Sequence, residues 1–154
     1  MYDKMMVCLD GSDLAQQLLP YAKELALKCN SKVVLFQVIY ILRSMATSST
    51  VMAPTAYPPL PEPEEIRITE QNARSYLETM AVPLREEGLK VECVTAQGVP
   101  AAQIVMYSIE HSIDIIVIAT HGRKGLGRAF LGSVADEVIR ESRLPILVMR
   151  PQEE

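Results

Sequence analysis

Five short runs of apolar residues, separated by segments of helical periodicity, constrain the fold of this sequence more than any other feature. The runs lie at 5–9, 32–39, 89–95, 114–119 and 145–149. Apolar residues continue almost unbroken through 32–39 and 114–119, which is typical of parallel strands buried on both faces, whereas 89–95 alternates. Strands that alternate with helices predict an open parallel sheet with helices on both faces. Since the chain has 154 residues, we expect one α/β domain that covers all of it.

Four helices are expected between the strands, at 13–28, 64–88, 101–111 and 133–142. The first is expected to be continuous and to be capped by Ser12 or Asp13. The second contains Pro83, and an interior proline costs a helix about 3 kcal/mol. We therefore expect a kink or a break near Val82. His111, at the end of the third helix, suits the negative end of the helix dipole and is assigned no function.

Residues 40–63 differ in kind from the rest of the chain. They hold five of its ten prolines, together with a Ser/Thr-rich stretch at 47–50. Such a segment forms neither a regular strand ladder nor a sustained helix. It is either a surface excursion of the domain or a loop that acts as a lid or contacts a partner, and the sequence leaves both open.

The charge and the cysteines limit the classes of function. The net charge of −4 argues against a protein that binds nucleic acid through bulk electrostatics. No apolar run approaches the ~18 residues of a membrane span, and the first strand begins too early to leave room for a signal peptide. Cys8, Cys29 and Cys93 fit no zinc or CxxC spacing. We expect Cys8 and Cys93 to be small buried hydrophobes in a reduced, cytoplasmic protein.

The segment 115–134 joins a buried strand to a helix through a glycine-rich loop. The loop contains three glycines, three basic residues and His121 but no acid, and it ends in Gly132 and Ser133. Glycines let a backbone approach a phosphate, and the first N–H groups of a helix have no partner of their own. The segment therefore predicts an anion site, for which we expect a nucleotide. The alternative is a solvated basic loop formed by Arg123, Lys124 and Arg128.

A polar segment also follows the first strand. Asp10 lies at the carboxyl end of that strand, as Gly122 does at the end of the fourth. In open parallel sheets, ligands bind at the carboxyl ends of the strands, where the winding reverses. If the first and fourth strands are neighbours, we expect the two polar elements to meet at one crevice.

The spacing of the glycines resembles that of a known family. Ala119 begins the pattern Ala-x-x-Gly-x(9)-Gly-Ser, which lies downstream of an Asp-Gly-Ser at residues 10–12. This arrangement resembles the universal stress protein family, and the similarity extends from Val7 to Val148. The resemblance implies a Rossmann-like sheet of five strands in the order 3-2-1-4-5, similar to that of adenine nucleotide alpha hydrolases. It also implies a homodimer that often forms through the last strand.

The resemblance further implies the branch of the family that binds ATP, whose motif is Gly-x-x-Gly-x(9)-Gly-Ser/Thr. Ala119 replaces the first glycine here, and we expect its methyl group to be tolerated. By this resemblance, phosphate oxygens would meet backbone N–H groups and the Ser133 hydroxyl, and Val38 would meet adenine through its backbone. Asp10 would lie near the ribose or near a divalent cation, Mg²⁺ or Mn²⁺, on the phosphates. The implied nucleotide site comprises Asp10, Gly11, Val38, Ala119, His121, Gly122, Arg123, Gly125, Gly132, Ser133 and Val134.

Two of these residues have competing structural explanations. Ser133 followed by Asp136 is also an N-cap box of the aspartate kind. Asp10 is also placed to hold the turn into the first helix by accepting backbone N–H bonds. The sequence alone does not decide between these structural explanations and the nucleotide roles.

Three functions remain open on this basis. The first is a regulatory protein whose occupancy by ATP sets a dimer or a partner interaction. The second is an enzyme, but the His-x-Gly-His and Ser-Gly-Gly-x-Asp-Ser loops of adenylyl transfer do not occur, and only Asp10 and His121 offer a general base, so we expect slow ATP hydrolysis at most. The third is an interaction module that binds AMP, cyclic AMP or no nucleotide. A Rossmann dehydrogenase is excluded, since no Gly-x-Gly-x-x-Gly follows the first strand.

Overall fold

The computed structural model describes residues 1–40, 61–120 and 132–150, which form a sheet covered by helices. The strands are β1 (Lys4–Cys8), β2 (Lys32–Ile39), β3 (Val91–Gln97), β4 (Ile115–Ala119) and β5 (Ile146–Met149). The helices are α1 (Asp13–Gln16), α2 (Leu19–Cys29), α3 (Pro63–Glu86), α4 (Pro100–Glu110) and α5 (Ser133–Glu141). None of the helices in these ranges has both the length and the apolar character that crossing a bilayer requires.

The five strands form one parallel sheet in the order β3-β2-β1-β4-β5. β1 lies at its centre, where Val7 pairs with Leu35 of β2 on one side and with Val117 of β4 on the other. The predicted fold class and strand order are therefore confirmed. Because the chain winds outward from β1 in both directions, the winding reverses between β1 and β4, where open sheets form a crevice.

Alternate residues of the strands supply two separate cores. Met5, Val7 and Leu35 pack against α2 and α3 on one face of the sheet. Met6 and Phe36 pack against α4 and α5 on the other. These side chains are almost fully buried, and each full burial of this kind stabilises the fold by about 1.5–3 kcal/mol. The aliphatic runs of the sequence thus hold the helices in place on both sides of the crevice.

The predicted helix at 13–28 is interrupted, so the prediction of one continuous helix was wrong. α1 ends at Gln16, and α2 begins at Leu19 after a turn in which the Leu18 N–H donates to the Ala15 carbonyl at 3.1 Å. The cause is Pro20, whose missing N–H would otherwise bond to the Gln16 carbonyl. Leu18 is buried at the turn, so the break also directs an apolar side chain into the core.

Of the kink or break predicted near Val82, the break was wrong, because α3 continues through Pro83 to Glu86. Leu77 and Ala81 are completely buried against the sheet. This packing, at about 1.5–3 kcal/mol for a large side chain, offsets the cost of the proline. α3 also begins earlier than expected, with Pro63 in its first turn, where a missing N–H costs nothing.

The three cysteines are free. Cys8 is buried in β1, and burial raises the pKa of its thiol to about 12. Cys93 in β3 is half-buried, and burial followed by a hydrogen bond with Glu78 raises the pKa of its thiol to about 11. Both thiols are therefore neutral at physiological pH, as expected of small hydrophobes.

Candidate functional site

A cavity of about 340 Å³ lies at the carboxyl ends of β1 and β4. Asp10 follows β1, Ala119 ends β4 and Thr120 follows it, and the first turn of α5 lies on the opposite side. The adjacency of the first and fourth strands, on which the predicted crevice depends, is confirmed. The lining residues are Cys8, Leu9, Asp10, Ala15, Phe36, Val38, Pro100, Ile104, Ile118, Ala119, Thr120, Gly132, Ser133, Val134 and Ala135.

The floor of this cavity is apolar and its rim is polar. Phe36, Ile104 and Ile118 belong to the buried core on the α4–α5 face and also line the cavity. Asp10 and Ser133 are exposed at the rim. Ligand sites of about 300–1,000 Å³ commonly combine apolar walls with a few placed polar groups. The cavity therefore suits a molecule with a flat apolar part and a polar or charged end.

Gly132 is the N-cap of α5, and Ser133 is the first helical residue. The N-cap box proposed for Ser133 and Asp136 does not form, because Ser133 lies one position too far into the helix. The Asp136 N–H instead donates to the Gly132 carbonyl at 2.9 Å, and its carboxylate pairs with Arg140 at 3.0 Å. The prediction that Ser133 forms an N-cap box was therefore wrong, and its exposed hydroxyl remains at the cavity rim.

The start of α5 keeps its first two backbone N–H groups, whereas α2, α3 and α4 each lose one to a proline. α2, α3 and α4 each have a proline in their first two positions. α5 has Ser133 and Val134 there, and neither amide has a hydrogen-bond partner among the described residues. Two donors at the positive end of a helix dipole favour an anion. Because both residues line the cavity, the anion would be held at its rim.

Thr120 lines the cavity but was not among the predicted site residues. It is buried, its N–H donates to the Met149 carbonyl at 2.9 Å, and its Oγ1 accepts the Gly132 N–H at 3.2 Å. The residue thus ties the end of β4 both to β5 and to the start of α5. The Gly132 amide is consequently engaged within the protein. The only indication of this role in the sequence was a residue with a hydroxyl group directly after a buried strand.

Asp10 makes the turn-forming contacts proposed as its structural alternative. Its Oδ1 accepts the Ser12 N–H at 2.9 Å and the Ser12 hydroxyl at 2.6 Å. The Ser12 Oγ in turn accepts the Ala15 N–H at 3.1 Å, so Ser12 caps α1 as predicted. Asp10 also lines the cavity and is exposed. One carboxylate beside bound phosphates is a common way to hold Mg²⁺, so the residue also fits its predicted role.

Gly11 follows in the left-handed region, with φ +83°. A Cβ built there would lie 3.5 Å from the Gln37 Nε2. The turn after β1 therefore requires glycine for its backbone conformation, whatever ligand binds.

Val38 and Ala119, near the ends of β2 and β4, line the cavity. His111 ends α4, where its ring stacks on Tyr107 with 3.9 Å between ring centroids. Within the described ranges, no group of three or more His, Cys, Asp and Glu side chains is arranged to hold a metal ion. Several predicted features lie outside the described residues: the proline-rich residues 41–60, His121, Gly122, Arg123, Lys124, Gly125 and Arg128.

Comparison with known proteins agrees with this architecture. Hypothetical protein MJ0577 of Methanocaldococcus jannaschii superposes with a TM-score of 0.72 at 25% identity, covering 100% of this chain and 99% of that one. A universal stress protein in complex with cAMP gives 0.69 at 19% identity, with 98% of both chains covered. An Arabidopsis thaliana protein of the same family, with AMP bound, gives 0.62 at 18% identity, covering 97% and 92%. The model of the universal stress protein family matches residues 1–150, and this chain belongs to that family.

Proposed function

We propose that this protein binds ATP in the cavity between β1, β4 and α5, and that occupancy regulates its assembly or its interaction with a partner in a stress response. The observation that carries the proposal is the start of α5, where Ser133 and Val134, whose amides have no partner among the described residues, line a cavity with an apolar floor. The neighbours with cAMP and AMP support an adenine nucleotide as the class of ligand.

Each part of the cavity suits one part of the nucleotide. The amides of Ser133 and Val134 and the Ser133 hydroxyl would hold phosphate oxygens, and each charge-assisted contact would contribute about 1.5–3 kcal/mol. The apolar floor around Phe36 would accommodate adenine, with Val38 offering its backbone. Asp10 would lie near the ribose or hold a divalent cation, Mg²⁺ or Mn²⁺, on the phosphates.

The glycine-rich loop completes the proposed site from outside the described ranges. By the family resemblance, backbone N–H groups of Gly122 and Gly125 would approach the phosphates, with His121 and Arg123 beside them. Ala119 would take the position of the family's first glycine. Its side chain is half-buried at the end of β4, which leaves the carboxyl edge of the strand accessible.

Regulation is proposed in preference to catalysis because the described part of the cavity offers little acid–base chemistry. Asp10 is its one carboxylate, and the Oδ1 of that group already accepts two bonds from Ser12. The Cys8 thiol, whose pKa burial raises to about 12, is neutral and not a nucleophile at physiological pH. We therefore expect ATP hydrolysis to be slow at most.

The regulated assembly we propose is a homodimer through β5. This strand lies at the edge of the sheet, and Leu147 within it is 37% exposed. An edge strand presents unpaired backbone groups that a second copy can pair. We propose a cytoplasmic location as well, on the basis of the three free cysteines.

The proposal is tested on protein purified without added nucleotide. The protein is denatured, the supernatant is examined for bound nucleotide, and the stripped protein is titrated calorimetrically with ATP, AMP and cyclic AMP in separate runs. We expect ATP to bind, and Gly132→Val to abolish binding through steric block while the circular dichroism spectrum is unchanged. Tighter binding of cyclic AMP would replace ATP as the ligand. If none of the three nucleotides binds, the remaining function is that of an interaction module without a nucleotide.

A further inference from the structure

The outer face of α4 is apolar, although nothing in the described part of the chain covers it. Val99, Ala102, Met106 and Ile109 lie along this face, each three or four residues from the next, and all of them are exposed. Ile109 is 74% exposed, Val99 51% and Met106 46%. We call these residues the α4 stripe. At about 1.5 Å per residue, the stripe is about 15 Å long.

The stripe differs from the outer face of the neighbouring helix. No charged residue occurs between Glu92 and Glu110, so α4 is mostly apolar on its outer face as well as on its buried one. α5, which packs beside α4 on the same side of the sheet, exposes the ion pair of Arg140 and Asp136 instead. A helix that is apolar all round is typically covered on every side, and exposed apolar patches commonly mark interaction surfaces. The α4 stripe therefore indicates an interface.

The spacing of the stripe fits a second copy of the same helix. Its residues are placed symmetrically about the midpoint between Ala102 and Met106. In an antiparallel pair of α4 helices related by a two-fold axis, Val99 would face Ile109 of the second copy, and Ala102 would face Met106 of the second copy. The small side chain of Ala102 leaves room for the long, flexible one of Met106. The stripe is thus complementary to itself, as a two-fold interface requires.

The charges at the two ends of α4 favour the antiparallel arrangement. Glu110 ends the helix and is exposed, and the last turn has no basic residue. Its carboxylate therefore lies at the negative end of its own helix dipole, which is unfavourable. The other end has no acidic residue in its first turn, and its N-cap, Val99, makes no side-chain cap. An antiparallel copy brings each Glu110 to the uncapped start of the other helix, whereas a parallel copy would bring the two carboxylates together.

We propose that α4 is an interface between two copies of this chain, in which the α4 stripes pack antiparallel about a two-fold axis. The surface is separate from β5, because α4 packs against β2 whereas β5 lies at the edge of the sheet. The stripe is small beside a standard interface of about 1,600 Å². The association is therefore weak and depends on protein concentration. It does not require the proposed binding of ATP.

The association is measured on the whole protein by NMR, with backbone amide shifts followed as the protein concentration is raised. We expect the amides of the stripe to shift together, while the amide of Ser75 on α3 stays unchanged. Amides of β5 report separately on the homodimer proposed through that strand, so that the failure of one interface is distinguishable from the failure of the other. Stripe amides that do not respond to concentration would overturn the proposal and leave this face to a different partner.

Two opposite charges test the antiparallel register. Ala102→Lys and Met106→Glu each place a charge in the stripe at an exposed helical position, where both new residues are good helix formers. We expect each variant alone to associate at least about tenfold more weakly than the parent. In an equimolar mixture, the ammonium introduced at position 102 faces the carboxylate introduced at position 106 of the second copy, and the other half of the interface keeps its native pair. Mixing should therefore restore the shifts.

Ser75→Lys and Ser75→Glu are the matched controls, since they introduce the same charges at an exposed position of α3. Each should associate like the parent, both alone and in the mixture. If the mixture of the two stripe variants stays dissociated, or if either one alone associates like the parent, the antiparallel α4 interface is refuted.

Glu110→Gln tests the contacts at the helix ends. The variant removes a charge that would meet the start of the other helix, and the contact occurs twice in a symmetric pair. We expect the self-association to weaken about threefold to thirtyfold, with the stripe amides as the readout. An affinity equal to or above that of the parent would show that the carboxylates do not meet the helix starts, and would overturn the antiparallel arrangement.

Discussion

The backbone N–H of Gly132 donates to the Oγ1 of Thr120 across 3.2 Å, which fixes the start of α5 beside the end of β4. Thr120 and Gly132 are twelve residues apart, and the glycine-rich loop lies between them. The bond closes that loop at its base. It therefore links the stability of the fold to the position of the amides that follow Gly132.

Thr120→Val should loosen this closure. The substitution keeps the volume and the backbone bond from the Thr120 N–H to the Met149 carbonyl, but it removes the acceptor for Gly132. We expect the free energy of unfolding to fall by about 1 kcal/mol and the affinity for ATP to fall with it. Chemical denaturation and calorimetry measure the two effects. Unchanged stability would show that the bond contributes nothing to closure.

Thr95→Val should not lower the stability of the fold, in contrast to Thr120→Val. The buried Oγ1 of Thr95 has no partner among the described residues, so replacing it by a methyl group removes a desolvated polar atom at no loss of a bond. We expect stability to be unchanged or to rise by up to about 1 kcal/mol. Thermal unfolding of Thr95→Val beside Thr120→Val gives a matched pair of buried threonines. A loss of more than about 1 kcal/mol in Thr95→Val would mean that water satisfies the hydroxyl.

Ser133→Pro removes the first backbone N–H donor of α5. Proline is favoured at the first helical position, and the preceding residue, Gly132, has the extended backbone (φ −55°, ψ 150°) that a following proline requires. We expect stability to change by less than about 1 kcal/mol. The loss of both the amide and the hydroxyl should weaken ATP binding by about a hundredfold to ten-thousandfold, since each charge-assisted bond is worth about 1.5–3 kcal/mol.

Ser133→Ala supplies the comparison for that variant. It removes the hydroxyl and keeps the amide, so its affinity for ATP should lie between those of the parent and of Ser133→Pro. Calorimetry with the stripped proteins gives the three values. If Ser133→Pro binds ATP as the parent does, the phosphates lie elsewhere.

Acid should weaken the contact between β2 and β3. Lys32 pairs with Glu92 at 2.7 Å, and this hydrogen bond lowers the pKa of Glu92 below its ordinary value of 4.5, with smaller contributions from Lys4 and His111. A lowered folded pKa gives stability that is present above the unfolded pKa and is lost as the pH falls through the folded value. Both side chains are 44% exposed, so the pair is worth about 0.2–1 kcal/mol.

Glu92→Gln tests the pH range over which the Lys32–Glu92 pair stabilises the fold. Its deficit in stability against the parent should be full near pH 7 and should narrow as the pH falls below 4.5. Urea unfolding at several pH values measures it, with Glu86→Gln at an exposed position as the control. A deficit that does not change with pH would assign the effect to packing.

The strands and their parallel sheet could be predicted from the sequence because unbroken aliphatic runs have few alternatives to a buried parallel strand, whereas the strand order was implied by the resemblance to the universal stress protein family. The two interior prolines could not be judged in the same way. Pro20 interrupts a helix and Pro83 does not, although both lie in amphipathic segments. The difference lies in packing against the sheet, which local sequence does not encode. The missing N–H of Pro20 is enough to interrupt the first helix, whereas the buried side chains of α3 keep that helix continuous through Pro83.

The candidate site likewise contains residues that could be predicted from local sequence and residues whose role depends on tertiary contacts. Asp10 and Ser133 were found because their types and spacing carry chemistry. Thr120 was missed because its role depends on Gly132, which is distant in sequence. A second cavity, under α3, was missed for a related reason: Gln37 and Tyr76, which line it, lie on separate elements that only the fold brings together.

Val38 lines two spaces, the cavity between β1 and β4 and a second one of about 410 Å³ under α3. A shift of the end of β2 would therefore change the shape of both spaces at once.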